Sequence, residues 1–193
     1  MSAMANSALL IMDVQNGIVE RFASGSAGLL AALAGATSGA RSAGIPVVYV
    51  RVAFRPGAPE ITGANRTFSA LAATATMDLD ARATQIHPAV APEPGDVVVV
   101  KKRVSAFTGS DLEVVLRAFD ARALVLAGIA TSGVVLSTLR EAADLDFSLT
   151  VLRDGCADAD DEVHRVLLEK VFPRQARVCT VSEWLAGLPG ASR

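Results

Sequence analysis

The chain has 193 residues, of which 51% are hydrophobic and 20% are charged, and its 18 basic against 20 acidic residues give a net charge of −2. A chain of this size buries enough apolar surface to fold as one domain without disulfides or metals. Its near-neutral charge offers no cationic surface for nucleic acid or anionic lipid, so neither is an expected partner. It contains no run of 18 apolar residues, which argues against a membrane-spanning helix.

The N-terminus lacks the basic segment and the long apolar stretch of a signal peptide, which predicts a cytoplasmic protein. The two cysteines, Cys156 and Cys179, are too few for a disulfide framework and lack metal-ligand spacing. We therefore expect neither a metal nor a cofactor. Cys156 is predicted to lie in a turn after the fifth strand and Cys179 to pack in the core.

Short β-branched runs alternate with segments of helical periodicity along the whole chain. This is the pattern of an α/β fold in which helices cover both faces of a parallel sheet. Six strands are predicted, at Ala8–Met12, Val47–Val52, Val97–Val100, Leu124–Ala127, Ser148–Leu152 and Val178–Val181. Apolar residues three and four positions apart predict helices near 28–43, 112–119, 136–143 and 163–171. The stretch 53–95 has no strong periodicity, and we expect it to wrap over one end of the sheet and form a pocket wall.

Ligands of an open parallel sheet bind outside the carboxyl ends of its strands, so the polar residues that follow each strand are of interest. Asp13 and Gln15 follow the first predicted strand, Lys101 ends the third, and the small-residue turn 128–133 follows the fourth. A carboxylate beside a lysine can serve as a general acid/base with an electrostatic partner. Alternatively, these charges lie only where the chain re-enters solvent.

Several common site motifs are missing from the sequence. It has no GxGxxG, GxxxxGK[ST] or GxSxG pattern, which removes the main support for dinucleotide binding, a phosphate loop or a nucleophile elbow. The two histidines, His87 and His164, are expected to face solvent rather than to bind a metal, because zinc sites need three or four ligands.

Four stretches together resemble the isochorismatase-like hydrolase superfamily, which includes isochorismatases and cysteine hydrolases such as nicotinamidases and N-carbamoylsarcosine amidase. They are LLIMDVQ at 9–15, KKRVSAFTGSDL at 101–112, GIATSGVVLSTLREA at 128–142, and residues 151–154. The resemblance implies a three-layer, doubly wound, Rossmann-like fold with a six-stranded parallel sheet. It implies one domain over 1–193 with its core at about 7–186, and assembly into a homodimer or larger homo-oligomer. It also places Asp13 and Lys101 on the family's catalytic Asp and Lys, and Ala130-Thr131 where the family tends to have a non-prolyl cis peptide.

The departure from the family concerns the nucleophile. Val134 occupies the position of the nucleophilic cysteine, and valine cannot form an acyl-thioester, so covalent amidase chemistry does not carry over. Thr131 or Ser132 could supply a hydroxyl, but the sequence places no histidine base near them. Residues 51–57 also lack the histidine of metal-using nicotinamidases, so no metal is expected.

The leading hypothesis is a hydrolase of a small molecule that works without a covalent intermediate. Asp13 is the predicted general acid/base and Lys101 its electrostatic partner, with isochorismate-type vinyl ether hydrolysis as the representative reaction. Predicted substrate-binding residues are Gln15, Arg51, Phe107, Ala130, Thr131, Ser132 and Gly133. The alternative is a catalytically inactive binding or assembly protein in which Asp13 and Lys101 form only a structural ion pair. An open cavity at both side chains favours the enzyme, whereas Val134 and Phe107 filling that space favours the alternative.

Overall fold

The computed structural model describes residues 6–22, 26–72 and 77–188, and places six strands and seven α-helices in them. The strands are β1 (Ser7–Met12), β2 (Val47–Val52), β3 (Val97–Lys101), β4 (Ala123–Ile129), β5 (Ser148–Ala157) and β6 (Arg177–Cys179). The helices are α1 (Asn16–Val19), α2 (Ser26–Ser42), α3 (Arg66–Ala72), α4 (Leu112–Ala118), α5 (Leu136–Asp144), α6 (Asp161–Val166) and α7 (Val181–Ala186). None of these helices is long and apolar enough to cross a bilayer.

All strand pairs are parallel, in the order β3-β2-β1-β4-β5-β6. The predicted α/β class and six-stranded parallel sheet are confirmed, because each β-branched run enters the sheet and each amphipathic segment crosses over it. The chain adds strands outward from β1 to β3 and then returns to β4 beside β1. The strand order therefore reverses between β1 and β4, which is where open α/β sheets bind ligands.

Two apolar clusters lie on opposite faces of the sheet, because successive strand side chains alternate between faces. Ala8, Leu10 and Met12 of β1 contact the cluster that holds α4, α5 and the residues after α6. Leu9 and Ile11 contact the cluster that holds α2 and α7. The buried sheet thus forms the middle of three layers.

The predicted ends of the fifth and sixth strands were wrong, and the predicted first, third and fourth strands were one to three residues too short. The fifth strand continues past Arg153 to Ala157, after a register irregularity opposite Leu126 and Gly128 of β4. The sixth ends at Cys179, because the side chain of Thr180 accepts a hydrogen bond from the backbone of Glu183 and starts α7 there. Val181 therefore belongs to a helix rather than to the strand.

The stretch 53–95 is partly helical. It contains α3 and two short 3-10 turns, Arg82–Thr84 and Pro88–Val90, and Phe54 and Phe68 pack edge-to-face in a small apolar cluster with Val52 and Met77. This cluster holds the stretch against the carboxyl ends of β1 and β2, as the sequence predicts for a pocket wall.

Candidate functional site

Asp13 and Lys101 form a buried ion pair at the carboxyl end of the sheet. Lys101 Nζ lies 2.9 Å from Asp13 Oδ2, and both side chains are almost fully shielded from solvent. The same ammonium donates hydrogen bonds to the carbonyl oxygens of Arg103 at 2.9 Å and Val104 at 3.0 Å. All three N–H bonds of Lys101 therefore have acceptors, which fixes the ammonium beside the carboxylate.

The strand order explains why this pair needs a long basic side chain. Asp13 follows β1 and Lys101 ends β3, while β2 lies between them, so the two backbones are separated by two strand spacings of about 4.8 Å each. Asp13 also has a positive φ of 57°, a conformation that aspartate tolerates better than most residues. The chain leaves the sheet at this point with the carboxyl group still buried.

The second oxygen of Asp13 has no such partner. Asp13 Oδ1 is buried and makes no hydrogen bond in the described part of the chain. Burial raises the pKa of the Asp13 carboxyl above its ordinary value of 3.8, because desolvation outweighs the charge and hydrogen bond of Lys101. The carboxyl group can therefore hold a proton at a higher pH than a surface aspartate.

A cavity of about 270 Å³ opens onto this pair. Asp13 and Lys101 contribute its buried charges, and Arg21 contributes an exposed one. The remaining wall is mainly apolar and comes from Gly17, Ile18, Val52, Phe68, Met77, Ala83, Val104, Ile129, Ala130, Gly133 and Val134, with Gln15 and Thr67 as its uncharged polar residues. A small apolar pocket with a few convergent polar groups is the usual form of a small-molecule site.

The turn after β4 supplies one wall of the cavity. The Ile129–Ala130 peptide bond is cis, one residue before the predicted Ala130-Thr131 position, and residues 131–135 form a single wide helical turn that is kinked at Gly133. Val134 lies in this turn, is 2% exposed, and is one of the residues that line the cavity together with Asp13 and Lys101.

A model of the isochorismatase domain matches residues 7–183, which is most of the chain. The chain belongs to the isochorismatase family. An uncharacterised isochorismatase family protein of Escherichia coli O157:H7, YecD, is 33% identical over 94% of this chain and 96% of its own length. The ureidoacrylate amidohydrolase RutB of Methylobacterium radiotolerans is 33% identical over 86% of this chain and 73% of its own length.

Solved structures agree with this assignment. An isochorismatase family protein from Burkholderia thailandensis is 28% identical and superposes with a TM-score of 0.82 over 97% of each chain. The protein is thus an isochorismatase-family hydrolase with the doubly wound sheet of its relatives. The match runs through the strands and turns that form the cavity.

Among the predicted substrate-binding residues, Ala130 and Gly133 line the cavity of this isochorismatase-family protein. Gln15 also lines the cavity, but its side-chain amide is already hydrogen-bonded to backbone groups. Its nitrogen donates to the carbonyls of Val52 and Thr84, both at 2.9 Å, and its oxygen accepts from the backbone of Val52 at 2.8 Å. Gln15 therefore ties the loop after β1 to the end of β2.

The predictions for Arg51 and Phe107 are corrected. The Arg51 guanidinium donates to the carbonyl oxygens of Leu79 at 3.0 Å and Thr84 at 3.2 Å, outside the cavity wall. It holds the stretch 53–95 in place. Phe107 packs in the core with its ring centroid 6.2 Å from that of Phe147, so it does not fill the space beside Asp13.

Thr131 and Ser132 are not among the residues that line the cavity. The hydroxyl of Thr131 is fully buried and lies 2.8 Å from His164 Nδ1, and the backbone N–H of Ser132 donates to Asp158 at 2.6 Å. The sequence-based expectation that no histidine lies near these hydroxyls was therefore wrong, because the segment after β5 folds back onto the turn. His164 is half-buried rather than solvent-facing, and burial lowers its pKa.

Sequence reasoning missed the cavity residues that come from outside the motifs. Arg21 lies in a 3-10 turn directly after α1, and Thr67, Phe68 and Met77 lie in the stretch 53–95. The proximity of Arg21 to Asp13 in sequence was the available signal. The other three come from a stretch without periodicity, where spacing predicts no orientation.

The cysteines have no part in the site. Cys156 lies within β5 rather than in a turn, and burial raises the pKa of its thiol to about 12, so it stays protonated near neutral pH. Cys179 is buried against α2 and α7, as predicted. Within the described ranges, no group of three or more His, Cys, Asp or Glu side chains could hold a metal ion.

Proposed function

We propose that this isochorismatase-family hydrolase acts without a covalent intermediate, with Asp13 as its general acid/base and Lys101 as its electrostatic partner. The observation that supports this most is Asp13 Oδ1, a buried carboxyl oxygen at the cavity wall that has no partner among the described residues. Unpartnered buried acceptors are rare in folded proteins because each lacks the water it would otherwise bind. A reacting group placed in the cavity would supply the missing partner.

Hydrolysis of a vinyl ether, with isochorismate as the representative substrate, suits such a carboxyl group. Asp13 gives its proton to the terminal alkene carbon, and the ether oxygen stabilises the cation that forms at the adjacent carbon. Water adds to that carbon and returns a proton to Asp13. The hemiketal then breaks the bond between its central carbon and the ether oxygen. The hydroxyl on that carbon becomes the ketone, and its proton passes to the ether oxygen, which leaves as the alcohol; with isochorismate the ketone is pyruvate. No bond to the protein forms at any step.

Lys101 takes an electrostatic part in this scheme. Its three N–H bonds already have acceptors, so it has no free lone pair with which to attack a substrate. When Asp13 loses its proton, the ammonium 2.9 Å away stabilises the carboxylate. Burial of the pair strengthens this interaction.

Val134 supports a non-covalent route. This residue lines the same cavity as Asp13 and Lys101, and its side chain carries no nucleophilic atom. The hydroxyl of Thr131, in the same turn, is directed toward His164 instead. The open space beside the ion pair favours turnover over a purely structural pair, because Phe107 lies in the core and Val134 leaves the cavity open.

The test is pyruvate release from isochorismate by the purified protein, beside Asp13→Asn and the surface control Asp144→Asn, which lies exposed on α5. Loss of a general acid lowers rates by about 10²–10⁴-fold, so Asp13→Asn is expected to lose activity by that factor while Asp144→Asn keeps it. Release by Asp13→Asn at the rate of the unaltered protein would overturn the role of Asp13.

Ureidoacrylate is the second substrate for the same assay, because relatives that are 33–36% identical are named ureidoacrylate amidohydrolases. Asp13 would then act as the base that activates water for attack on the carbonyl carbon. Inactivity of the unaltered protein on both substrates would reject both reactions. A cytoplasmic location and assembly into homo-oligomers remain predictions.

A further inference from the structure

The charges around the cavity are unbalanced. It is lined by two cationic side chains, Lys101 and Arg21, and by one carboxyl group, Asp13. Lys101 is matched by Asp13 at 2.9 Å, which leaves the charge of Arg21 unmatched within the cavity wall. When Asp13 is protonated, both cations lack a counter-charge there. A negatively charged group of a ligand placed beside Arg21 would reduce this imbalance.

Arg21 is available to such a ligand. It is exposed, and its guanidinium makes no hydrogen bond or ion pair with any residue that the structure describes. Other arginines near the site are already engaged: Arg51 and Arg103 donate to backbone carbonyls, and Arg82 pairs with Glu20 at 3.1 Å. Among the described residues, Arg21 is thus the cation at this cavity whose donors are free.

The position of Arg21 relative to Asp13 defines two ends of the cavity. Arg21 is exposed and belongs to the mouth, whereas Asp13 is buried and belongs to the floor. The same cavity is also lined by apolar residues that include Ile18, Phe68 and Val134. A ligand with a charged group at one end and an apolar body matches the charged and apolar residues of this lining.

We propose that Arg21 binds a carboxylate of a small substrate whose apolar body lies toward Val134 and Asp13. A guanidinium presents parallel N–H donors that match the two oxygens of a carboxylate. With the carboxylate held at the mouth, the Asp13 carboxyl group on the floor is not forced against a like charge. The proposal rests on the proposed function only in assigning the same cavity to the substrate.

The volume of the cavity guides the choice of a probe. This volume of about 270 Å³ equals that of about nine water molecules in the liquid, at about 30 Å³ each. Benzoate has nine non-hydrogen atoms, so it serves as a probe of suitable size. Benzamide has the same shape without the charge, which isolates the contribution of the carboxylate.

The experiment measures binding of benzoate and of benzamide by calorimetric titration to the full-length protein, to Arg21→Gln and to Arg82→Gln. Arg82 is an exposed arginine that pairs with Glu20, the residue next to Arg21, and it lies outside the cavity wall, so it controls for a general change in surface charge. We expect the unaltered protein and Arg82→Gln to bind benzoate about tenfold or more tightly than benzamide. In Arg21→Gln the preference should vanish while the affinity for benzamide stays the same.

Three outcomes would overturn the proposal: no preference for benzoate in the unaltered protein, a preference that survives in Arg21→Gln, or no binding of either probe. A preference that survives would assign the anion to Lys101. Because these are binding measurements, they are independent of turnover. A protein that binds benzoate through Arg21 but releases no pyruvate refutes only the proposed reaction, and the reverse result refutes only the role of Arg21.

Discussion

The ion pair between Asp13 and Lys101 makes a quantitative prediction about stability. Two unit charges 2.9 Å apart attract by about 6 kcal/mol at an effective dielectric constant of about 20. Removal of both ions from water offsets most of this attraction, so the pair as a whole adds little to the free energy of unfolding. Removal of one partner alone, however, leaves the other buried without its counter-charge.

A double-mutant cycle with Asp13→Asn and Lys101→Met measures this coupling. Asparagine tolerates the positive φ at position 13, and methionine keeps most of the apolar stem of lysine, so neither change opens a large void. Each single variant is expected to lose about 3 kcal/mol of unfolding free energy. The double variant should lose about as much as one single variant, which gives a coupling energy of about 2–3 kcal/mol.

Urea unfolding at constant pH supplies the free energies. Trp184 is the only tryptophan in the chain and is buried in α7, far along the sequence from the ion pair, so its fluorescence reports on global unfolding. Equal slopes against urea in all four proteins would show that the variants unfold from comparable native states. Additive losses, with a coupling below about 0.5 kcal/mol, would refute the argument that each ion depends on the other.

Three further predictions concern pH, the sheet and a helix terminus. Because the pKa of Asp13 is raised above 3.8 and the proposed reaction needs its protonated form, kcat/KM should fall as pH rises through that pKa; a rate that rises with pH over this range would contradict the acid role. Gly128→Ala should cost about 3 kcal/mol or more in urea unfolding, because φ is +147° and the new Cβ would lie 2.1 Å from the carbonyl oxygen of Met12. Gly35→Ala, in open space on α2, is its control and should not destabilise; equal effects at the two glycines would refute the reasoning. Thr180→Ala removes the cap of α7 and should cost about 1 kcal/mol, or about 2–4 °C in Tm by calorimetry; an unchanged Tm would show that the cap contributes nothing.

The sequence predicted those parts of the fold that depend on local pattern. Strand β2 begins at Val47 and ends at Val52 as predicted, because its β-branched residues are bounded by Pro46 and by the change of composition after it. The end of β5 was missed, because Arg153 and Asp154 are polar, and polar residues after an apolar run are typical of a strand's end. In the fold, Arg153 and Asp154 lie within β5, which continues to Ala157 by pairing with β4. This pairing depends on the partner strand and not on the local sequence of β5.

The candidate site likewise has residues that the sequence predicted correctly and residues that it did not. The positions of Asp13 and Lys101 after strands, and the resemblance of the turn around Val134 to a family motif, predict that they meet at one edge of the sheet. The structure brings all three to one cavity. Arg51 was misassigned because a strand arginine carries no signal of where its long side chain ends. Its donors are used by carbonyl oxygens in the stretch 53–95, whose path has no periodicity to predict it.

The sequence by itself therefore determined the α/β class of this protein, its six strands, and the positions of Asp13 and Lys101 at the ends of β1 and β3. Hydrophobic periodicity and the alternation of strands with helices are local properties, and they suffice for this. The tertiary structure decided which side chains have their hydrogen bonds satisfied and which do not. Gln15, Arg51 and Thr131 are engaged elsewhere, while Asp13 Oδ1 and Arg21 have no partner at the cavity among the residues that the structure describes. Hydrogen-bond satisfaction depends on partners that are distant in sequence, so it exists only once the chain has folded.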